Sequence, residues 1–357
     1  MADKAYLVIV KQKKMSISDA DSVFFEMKEL TESATGKVVG STRANIESPS
    51  PSHYIRSGKM QEIAAEVMKL GANVIIFSVD LSPVQARNIE SDCGGVRVVD
   101  RTGLILDIFA RRAVSRDGKL QVELAQLQYL LPRLVGKGVI MSRLGGGIGT
   151  RGPGEQKLEV DRRKIRARIE NVKNQIEKLV RHRELVRAGR RQKGLAQVAI
   201  VGYTNAGKST LLNALTGADA FVENRLFATL DPKTRIFEDG KGKPVLFTDT
   251  VGFIRDLPHG LVKAFHATLE EAADADLILV VVDAADELAL EHKKIVEEVL
   301  KELGAETKPK LIALNKADLL NEQQRARALD VFPQAFLISA TQKQGLQKLI
   351  EAIKKLF

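Results

Sequence analysis

The feature that most constrains this chain is the run GYTNAGKST at residues 202–210, which directly follows the apolar stretch LAQVAIV. Its spacing of glycines before Lys208 and Ser209 is the pattern of a phosphate-binding loop. Glycines let successive backbone N–H groups face phosphate oxygens, the ammonium reaches the outer phosphates, and the hydroxyl joins the coordination of Mg²⁺. A strand before the run and a helical pattern after it support this interpretation. The residues that we predict to bind nucleotide here are Gly202, Tyr203, Thr204, Asn205, Ala206, Gly207, Lys208, Ser209 and Thr210.

Length and composition set the class of protein. A chain of 357 residues that is 44% hydrophobic is long enough for two or three domains with ordinary cores. Cys93 is the only cysteine and has no internal partner, and no apolar run approaches the roughly 20 residues of a membrane span. The N-terminus lacks the pattern of a signal peptide. We therefore expect a folded, monomeric, cytoplasmic protein with no membrane span.

The positive charge of the chain is concentrated in one segment. Residues 143–193 contain 16 Lys or Arg against 6 Asp or Glu, an excess of 10 that equals the formal net charge of the whole chain. Such a block is typical of a surface that binds a polyanion such as nucleic acid. A solvated helix face is the alternative interpretation.

The same segment has the pattern of a helical hairpin. Apolar residues recur every seven positions from Leu158 to Val186, which predicts one helix over about residues 155–188. Leucines from Leu120 to Leu134 have a similar spacing, so we predict two antiparallel helices with a glycine-rich connection at residues 142–157. This connection is either a flexible linker or a loop that orders on phosphates. The candidate RNA contacts are Arg143, Arg151, Arg162, Arg163, Lys164 and Arg166.

Strand and helix patterns alternate over the first 115 or so residues and again after Leu195. This order predicts an α/β fold with mostly parallel sheets. The predicted architecture is a small N-terminal α/β domain at residues 1–116, the basic hairpin with its glycine-rich loop at 117–193, and a P-loop domain at 194–357.

Two further motifs match a nucleotide-dependent switch. DTVG, at residues 249–252, ends an apolar strand, so that Asp249 can hold Mg²⁺ through water and the Gly252 amide can donate to a γ-phosphate. Thr229 lies in the preceding loop and is our candidate for a second hydroxyl on Mg²⁺, with Thr234 as its competitor. We predict metal ligation by Ser209, Thr229 and Asp249, and catalytic roles for Lys208, Thr229 and Gly252. The switch residues predicted to contact nucleotide are Phe227, Ala228, Thr229, Leu230, Asp231, Asp249, Thr250, Val251 and Gly252.

The string NKAD at residues 315–318 predicts the choice of base. Its aspartate, Asp318, can accept hydrogen bonds from N1–H and the exocyclic amine of guanine, which adenine does not offer in that geometry. Lys316 can lie across the base, and a later SAT string offers N–H groups to guanine O6. The base-binding candidates are Asn315, Lys316, Asp318, Ser339, Ala340 and Thr341.

The chain resembles the HflX family of ribosome-associated GTPases, within the translation-factor-related class. The resemblance is carried by GGGIGTRGPGEQKLEVDRRKI (145–165), VDRTGLILDIFARRA (99–113), LSPVQARNIE (81–90), LFATLDP and DTVGFI. It implies GTP binding and hydrolysis, an N-terminal α/β domain with a helical arm, and binding to the large ribosomal subunit. Bacterial members of the family are associated with rescue of stalled ribosomes by subunit splitting.

Two residues bear on hydrolysis. Phe253 stands after DTVG where small GTPases place a glutamine, so we expect slow intrinsic hydrolysis that a partner surface accelerates. Similar loops in potassium-stimulated GTPases carry an asparagine at the place of Asn205, which makes K⁺ a candidate second cofactor beside Mg²⁺. The leading hypothesis is a GTPase whose nucleotide state controls docking on ribosomal RNA. The alternative is a nucleotide-dependent scaffold whose basic arm contacts its own GTPase domain or an acidic protein.

Overall fold

The computed structural model of this chain describes residues 3–134, 153–192, 194–217, 226–238, 240, 243–256 and 271–357. Two compact units make up the chain. One consists of Met1–Arg111 and Val122–Gln175, and the other of Arg112–Gln121 and Ile176–Phe357. Neither unit is a single stretch of sequence. The division into three domains remains a prediction.

The first unit contains a four-stranded parallel sheet. Its strand order is β2-β1-β3-β4, and apolar side chains such as Tyr6, Val8 and Phe77 are fully buried against its helices. The α/β pattern predicted for this region is confirmed. The elements are β1 (Lys4–Gln12), α1 (Ile17–Ser33), β2 (Lys37–Ile46), α2 (Ser57–Leu70), β3 (Val74–Phe77), α3 (Pro83–Asp92), β4 (Arg97–Val99) and α4 (Arg101–Arg112).

A buried carboxylate in this unit holds the C-terminal end of the next helix, α5 (Arg116–Arg133). Asp100 is 2% exposed, and its Oδ2 accepts a hydrogen bond from Arg133 at 2.6 Å. Its Oδ1 accepts from the Tyr129 hydroxyl at 2.8 Å, and the Arg133 guanidinium lies 3.5 Å from the centroid of that tyrosine ring. A charge this deeply buried is stable because it is paired and hydrogen-bonded.

The long helix α6 (Pro153–Gln192) follows, close to the predicted bounds, and α5 continues one residue beyond Pro132. Arg168 of α6 pairs with Glu123 of α5 at 2.6 Å, and further along α6 Arg183 pairs with the earlier Asp117 at 3.1 Å. These pairs have opposite order along the two helices, as the predicted antiparallel hairpin requires. Val172 of the seven-residue pattern is buried, and so is Ile169, three residues before it. Arg143 and Arg151 lie outside the described residues.

The second unit contains a six-stranded sheet in the order β10-β9-β8-β5-β7-β6, in which β6 alone is antiparallel to its neighbour. The mostly parallel sheet predicted after Leu195 is confirmed. Its central strand β5 leads into the phosphate-binding run. The elements are β5 (Ala196–Gly202), α7 (Lys208–Thr216), β6 (Lys233–Phe237), β7 (Val245–Asp249), β8 (Leu277–Asp283), α8 (Ala289–Glu302), β9 (Lys310–Asn315), α9 (Glu322–Val331), β10 (Phe336–Leu337) and α10 (Leu346–Lys354).

Among the helices in the described part of the chain, none is long and apolar enough to cross a membrane.

Candidate functional site

The loop between β5 and α7 borders a cleft of about 380 Å³ at the carboxyl ends of the parallel strands. Gly207 precedes α7 with φ +91°, and Asn315 Nδ2 occupies the space that a Cβ would need. That amide donates to the Ala206 carbonyl at 2.9 Å. Glycine is therefore required at position 207 both for its backbone angle and for this close approach. The cleft is lined by Thr204, Asn205, Gly207, Lys208, Ser209, Thr210, Phe227, Ala228, Thr229, Thr250, Gly252, Asn315, Lys316, Asp318, Leu319 and Thr341.

Lys208 is a buried cation beside this cleft. It is 6% exposed, and its Nζ donates to the carbonyls of Gly202 at 3.1 Å and Tyr203 at 2.8 Å. Burial lowers the pKa of Lys208 to about 8, and the negative charge of Asp249 opposes this shift only in part. An anion placed near Nζ would restore the charged form.

Three oxygen-bearing side chains meet next to Lys208. Ser209 Oγ lies 2.8 Å from Thr229 Oγ1 and donates to Asp249 Oδ2 at 2.6 Å. Asp249 is fully buried, and burial raises the pKa of its carboxyl, although Lys208 and the neighbouring hydroxyls counteract the shift. Among the described residues its Oδ1 has no hydrogen-bond partner. An orphaned carboxylate oxygen beside two hydroxyls is a donor set that fits Mg²⁺. Thr234 is the alternative candidate for the second hydroxyl on Mg²⁺, but its Oγ1 lies 3.0 Å from Thr248 Oγ1.

Gly252 and Phe253 lie against the phosphate-binding loop. Phe253 N–H donates to the Gly202 carbonyl at 3.1 Å, and Thr204 N–H donates to the Phe253 carbonyl at 2.8 Å. A Cβ at Gly252 would come within 2.9 Å of both Lys208 Nζ and Thr204 Cα. Phe253 is 1% exposed, so its ring belongs to the core and not to the cleft. The hydroxyl of Thr204, in contrast, is buried beside the cleft with no partner among the described residues.

The predicted base-binding residues come together at the ends of β9 and β10. Lys316 has a left-handed backbone, φ +66°, and its ammonium pairs with Asp283 at 2.5 Å. Ser339 donates from Oγ to Asp318 Oδ1 at 2.5 Å. The Ala340 N–H donates to Asn315 Oδ1 at 3.0 Å, so this amide is already used within the protein. Leu319, which the sequence analysis missed, also lines the cleft; its signal was its position directly after NKAD.

Several predicted residues do not line the cleft but support it. Leu230 is buried, and the carboxylate of Asp231 accepts hydrogen bonds from Val114 and Ser115, away from the cleft. The prediction that Asp231 contacts nucleotide therefore has no support in this geometry, because its acceptor oxygens already serve these donors. The others outside the lining are Gly202, Tyr203, Ala206, Asp249, Val251, Ser339 and Ala340.

Fold and site together define the class. A central parallel strand ends in a phosphate-binding loop, a buried aspartate and glycine follow on the neighbouring strand, and an NKxD string lies at the end of another strand. This combination is that of a P-loop GTPase.

The comparisons with known proteins agree. Models described as "GTP-binding GTPase N-terminal", "GTP-binding GTPase Middle Region" and "50S ribosome-binding GTPase" match residues 21–110, 112–190 and 197–316. The chain belongs to the HflX family of GTPases and is a GTP-hydrolysing enzyme. GTPase HflX of Caldanaerobacter subterraneus subsp. tengcongensis is 50% identical over 353 residues, 99% of this chain and 80% of the relative. GTPase HflX of Escherichia coli K12 is 44% identical, over 92% of this chain and 77% of the relative.

A solved structure is also similar over the whole chain. The GDP complex of a GTP-binding protein from the hyperthermophilic archaeon Sulfolobus solfataricus is 27% identical, with a TM-score of 0.51, and the match covers 99% of this chain and 98% of that one. A second GDP complex, titled SsGBP, is 28% identical, with a TM-score of 0.54 and the same coverage.

Proposed function

We propose that the cleft binds GTP with its phosphates on residues 202–210 and its base between Lys316 and Thr341. Asp318 accepts from N1–H and the exocyclic amine of guanine. Since the amide of Ala340 serves Asn315, the contact to O6 falls to the Thr341 amide. Ser209, Thr229 and Asp249 would hold Mg²⁺, which would supply positive charge next to the phosphates. The observation that carries this proposal is that Lys208, Ser209 and Thr229 line one cleft, with the orphaned oxygen of the buried Asp249 carboxylate beside them.

Hydrolysis requires stabilisation of the charge that develops on the terminal phosphoryl group. Lys208 supplies a buried positive charge there, and the bare backbone of Gly252 lets an N–H approach. Phe253 cannot orient water, because it has no polar atom and its ring is buried. The hydroxyl of Thr204 is the polar group of the loop that can contact a phosphate oxygen or the attacking water. We therefore propose slow intrinsic GTP hydrolysis, which a partner surface accelerates.

We also propose that K⁺ binds at Asn205, whose φ is +61°. GTP hydrolysis should then be faster in KCl than in NaCl, and equal rates would exclude this site.

The pKa of Lys208 leads to a prediction about protons. In the nucleotide-free protein this lysine is largely neutral above pH 8 or so, because its pKa is lowered to about 8. Phosphates next to Nζ favour the charged form and raise that pKa. At pH 9 binding of GDP with Mg²⁺ should therefore take up close to one proton, and at pH 7 almost none through this group. Calorimetry in buffers of different ionisation enthalpy measures this number. Equal proton uptake at the two pH values would contradict the proposal.

We also propose that the basic hairpin binds ribosomal RNA of the large subunit, with the nucleotide state controlling docking and with subunit splitting or rescue as the outcome. Arg163, Lys164 and Arg166 are exposed on α6. Within the part of the chain that the structure describes, the ion pairs of this helix use other cations, such as Arg168, Lys173 and Arg183, and none uses Arg163 or Lys164. The names "50S ribosome-binding GTPase" and HflX support this partner. A ribosomal partner would place the protein in the cytoplasm, and we propose that it acts as a monomer.

The test neutralises a cluster on α6. The variant Arg162→Gln, Arg163→Gln, Lys164→Gln should bind 50S subunits more weakly, and the slope of log affinity against log salt should fall by roughly 2–3, since each phosphate contact contributes about 0.7–0.9. Sedimentation at graded KCl, with a GTP analogue or GDP, measures both effects.

A matched control removes the same charge from the second unit, through Lys343→Gln, Lys348→Gln and Lys355→Gln, all at exposed positions. An equal loss in both triple variants would show only a general charge effect, and unchanged binding in the α6 variant would exclude this surface.

A further inference from the structure

Asp231 connects the loop that carries Thr229 with the start of helix α5. Its Oδ2 accepts hydrogen bonds from the backbone N–H groups of Val114 at 2.9 Å and Ser115 at 2.8 Å, and its Oδ1 accepts from the Ser115 hydroxyl. Ser115 Oγ in turn accepts from Gly118 N–H at 2.9 Å. All of these residues belong to the second unit. A carboxylate at a helix N-terminus is stabilised both by the free N–H groups and by the helix dipole.

Gly118 shows that the close approach of Asp231 is built into the sequence. It occupies the third position of α5, where alanine would be the more stable helical residue. A Cβ at position 118 would collide with Asp231 Oδ1, and Ser115 Oγ would lie 3.2 Å from it. Glycine at this position therefore makes room for the carboxylate. Gly58, the second residue of α2, has no atom within 4 Å of its Cβ position and shows no such constraint.

The contact restricts Thr229, which is two residues from Asp231. Consecutive Cα atoms are 3.8 Å apart, so the two residues are separated by at most about 7 Å of chain. Leu230 between them is 2% exposed and Thr229 is 8% exposed. Thr229 Oγ1 lies 2.8 Å from Ser209 Oγ at the proposed metal site. Thr229 can therefore move far from this site only if Asp231 separates from the start of α5 or the buried Leu230 moves.

We propose that Asp231 is a positioning residue for GTP hydrolysis. Its hydrogen bonds to Val114 and Ser115 at the start of α5 fix the loop that carries Thr229, so that Thr229 stays at the proposed metal site. The proposal rests on the metal-binding role proposed above for Thr229. It concerns the triphosphate state, because the switch threonine is ordered by the γ-phosphate and Mg²⁺ and is released after hydrolysis.

The test uses Asp231→Ala, Ser115→Ala and Gly118→Ala in the full chain. Each should lower kcat for GTP about tenfold and raise the Mg²⁺ concentration that gives half-maximal rate, while GDP affinity changes less than twofold. Gly118→Ala is the sharpest variant, because it favours the helix and acts on Asp231 by steric contact alone. The controls are Ser82→Ala, which removes an equivalent cap from α3, and Gly58→Ala in α2. Both should leave kcat and the Mg²⁺ dependence unchanged.

A double variant separates this contact from loss of stability. If Asp231 and Ser115 act through one contact, the Asp231→Ala, Ser115→Ala variant should be no slower than Asp231→Ala alone, whereas independent effects would multiply. Unchanged kcat in Asp231→Ala, or multiplied effects in the double variant, would overturn the proposal. Thr229→Ala distinguishes failure of the proposed metal-site role of Thr229 from failure of the proposed positioning role of Asp231. If it leaves hydrolysis intact, the proposed role of Thr229 fails; if it slows hydrolysis and Asp231→Ala does not, only the role of Asp231 fails.

Discussion

Asp318→Asn should weaken GDP binding by about 10²–10⁴-fold, because two hydrogen bonds to a charged acceptor contribute roughly 1.5–3 kcal/mol each. The asparagine oxygen can keep the hydrogen bond from Ser339 Oγ, which limits structural damage. Its NH₂ group would then face the N–H donors of guanine. Xanthine carries a carbonyl where guanine carries its exocyclic amine, so XDP should bind the variant better than GDP does. Titration with fluorescent GDP and XDP analogues measures both affinities.

The control for this experiment is Asp330→Asn, an isosteric change at an exposed position of α9. It should leave GDP affinity unchanged and give no preference for XDP. If Asp318→Asn also retains the original GDP affinity, the base does not lie against Asp318 as we propose. Weaker binding of both nucleotides without any gain for XDP would indicate disruption of the pocket and not a change of specificity.

Gly252→Ala should lower the rate of GTP hydrolysis by about 10²–10³-fold, the magnitude typical for loss of one hydrogen-bond donor to a transition-state oxyanion. The added Cβ would come within 2.9 Å of Lys208 Nζ and of Thr204 Cα. The added Cβ would therefore push apart the groups that we propose to surround the terminal phosphate. GDP lacks that phosphate, so its affinity should change much less than the single-turnover rate with GTP.

Gly189→Ala is the matched control, since no atom lies within 4 Å of a Cβ at that position. It should leave basal hydrolysis unchanged. If Gly252→Ala weakened GDP and GTP equally and left the rate from the bound state intact, the contact of Gly252 would be a general binding contact and its proposed catalytic role would be excluded.

The parts of this protein that follow local patterns were predictable from sequence. The phosphate-binding run, its flanking strand and helix, and the long basic helix all depend on residues close in the chain, and the structure has them within a few residues of the predicted bounds. The closeness of Ser209 and Asp249 was also predictable, because the start of α7 and the end of β7 lie at the same edge of the sheet; that these residues bind a metal remains a prediction. Thr229 could be separated from Thr234 only by the structure, since both are threonines of the same segment.

Contacts between distant segments were not predictable. Asp231 reaches Val114 and Ser115 across more than 110 residues of sequence, and no spacing rule connects them. The hydrogen bond of the Ala340 amide to Asn315 depends on how β9 and β10 lie side by side. These contacts depend on how distant segments pack in the folded chain and not on the local sequence.

The interleaving of the two units affects how fragments of this enzyme should be interpreted. Because Arg112–Gln121 belongs with Ile176–Phe357, a shortened protein beginning at residue 194 lacks the peptide that receives Asp231. Such a fragment would retain every nucleotide-binding motif but would lose the hydrogen bonds that attach the loop carrying Thr229 to Val114 and Ser115. The hydrolysis rate of this fragment would therefore be that of an enzyme whose Thr229 loop lacks these contacts. A difference from the rate of the intact chain would not by itself show that the missing domain inhibits or activates hydrolysis.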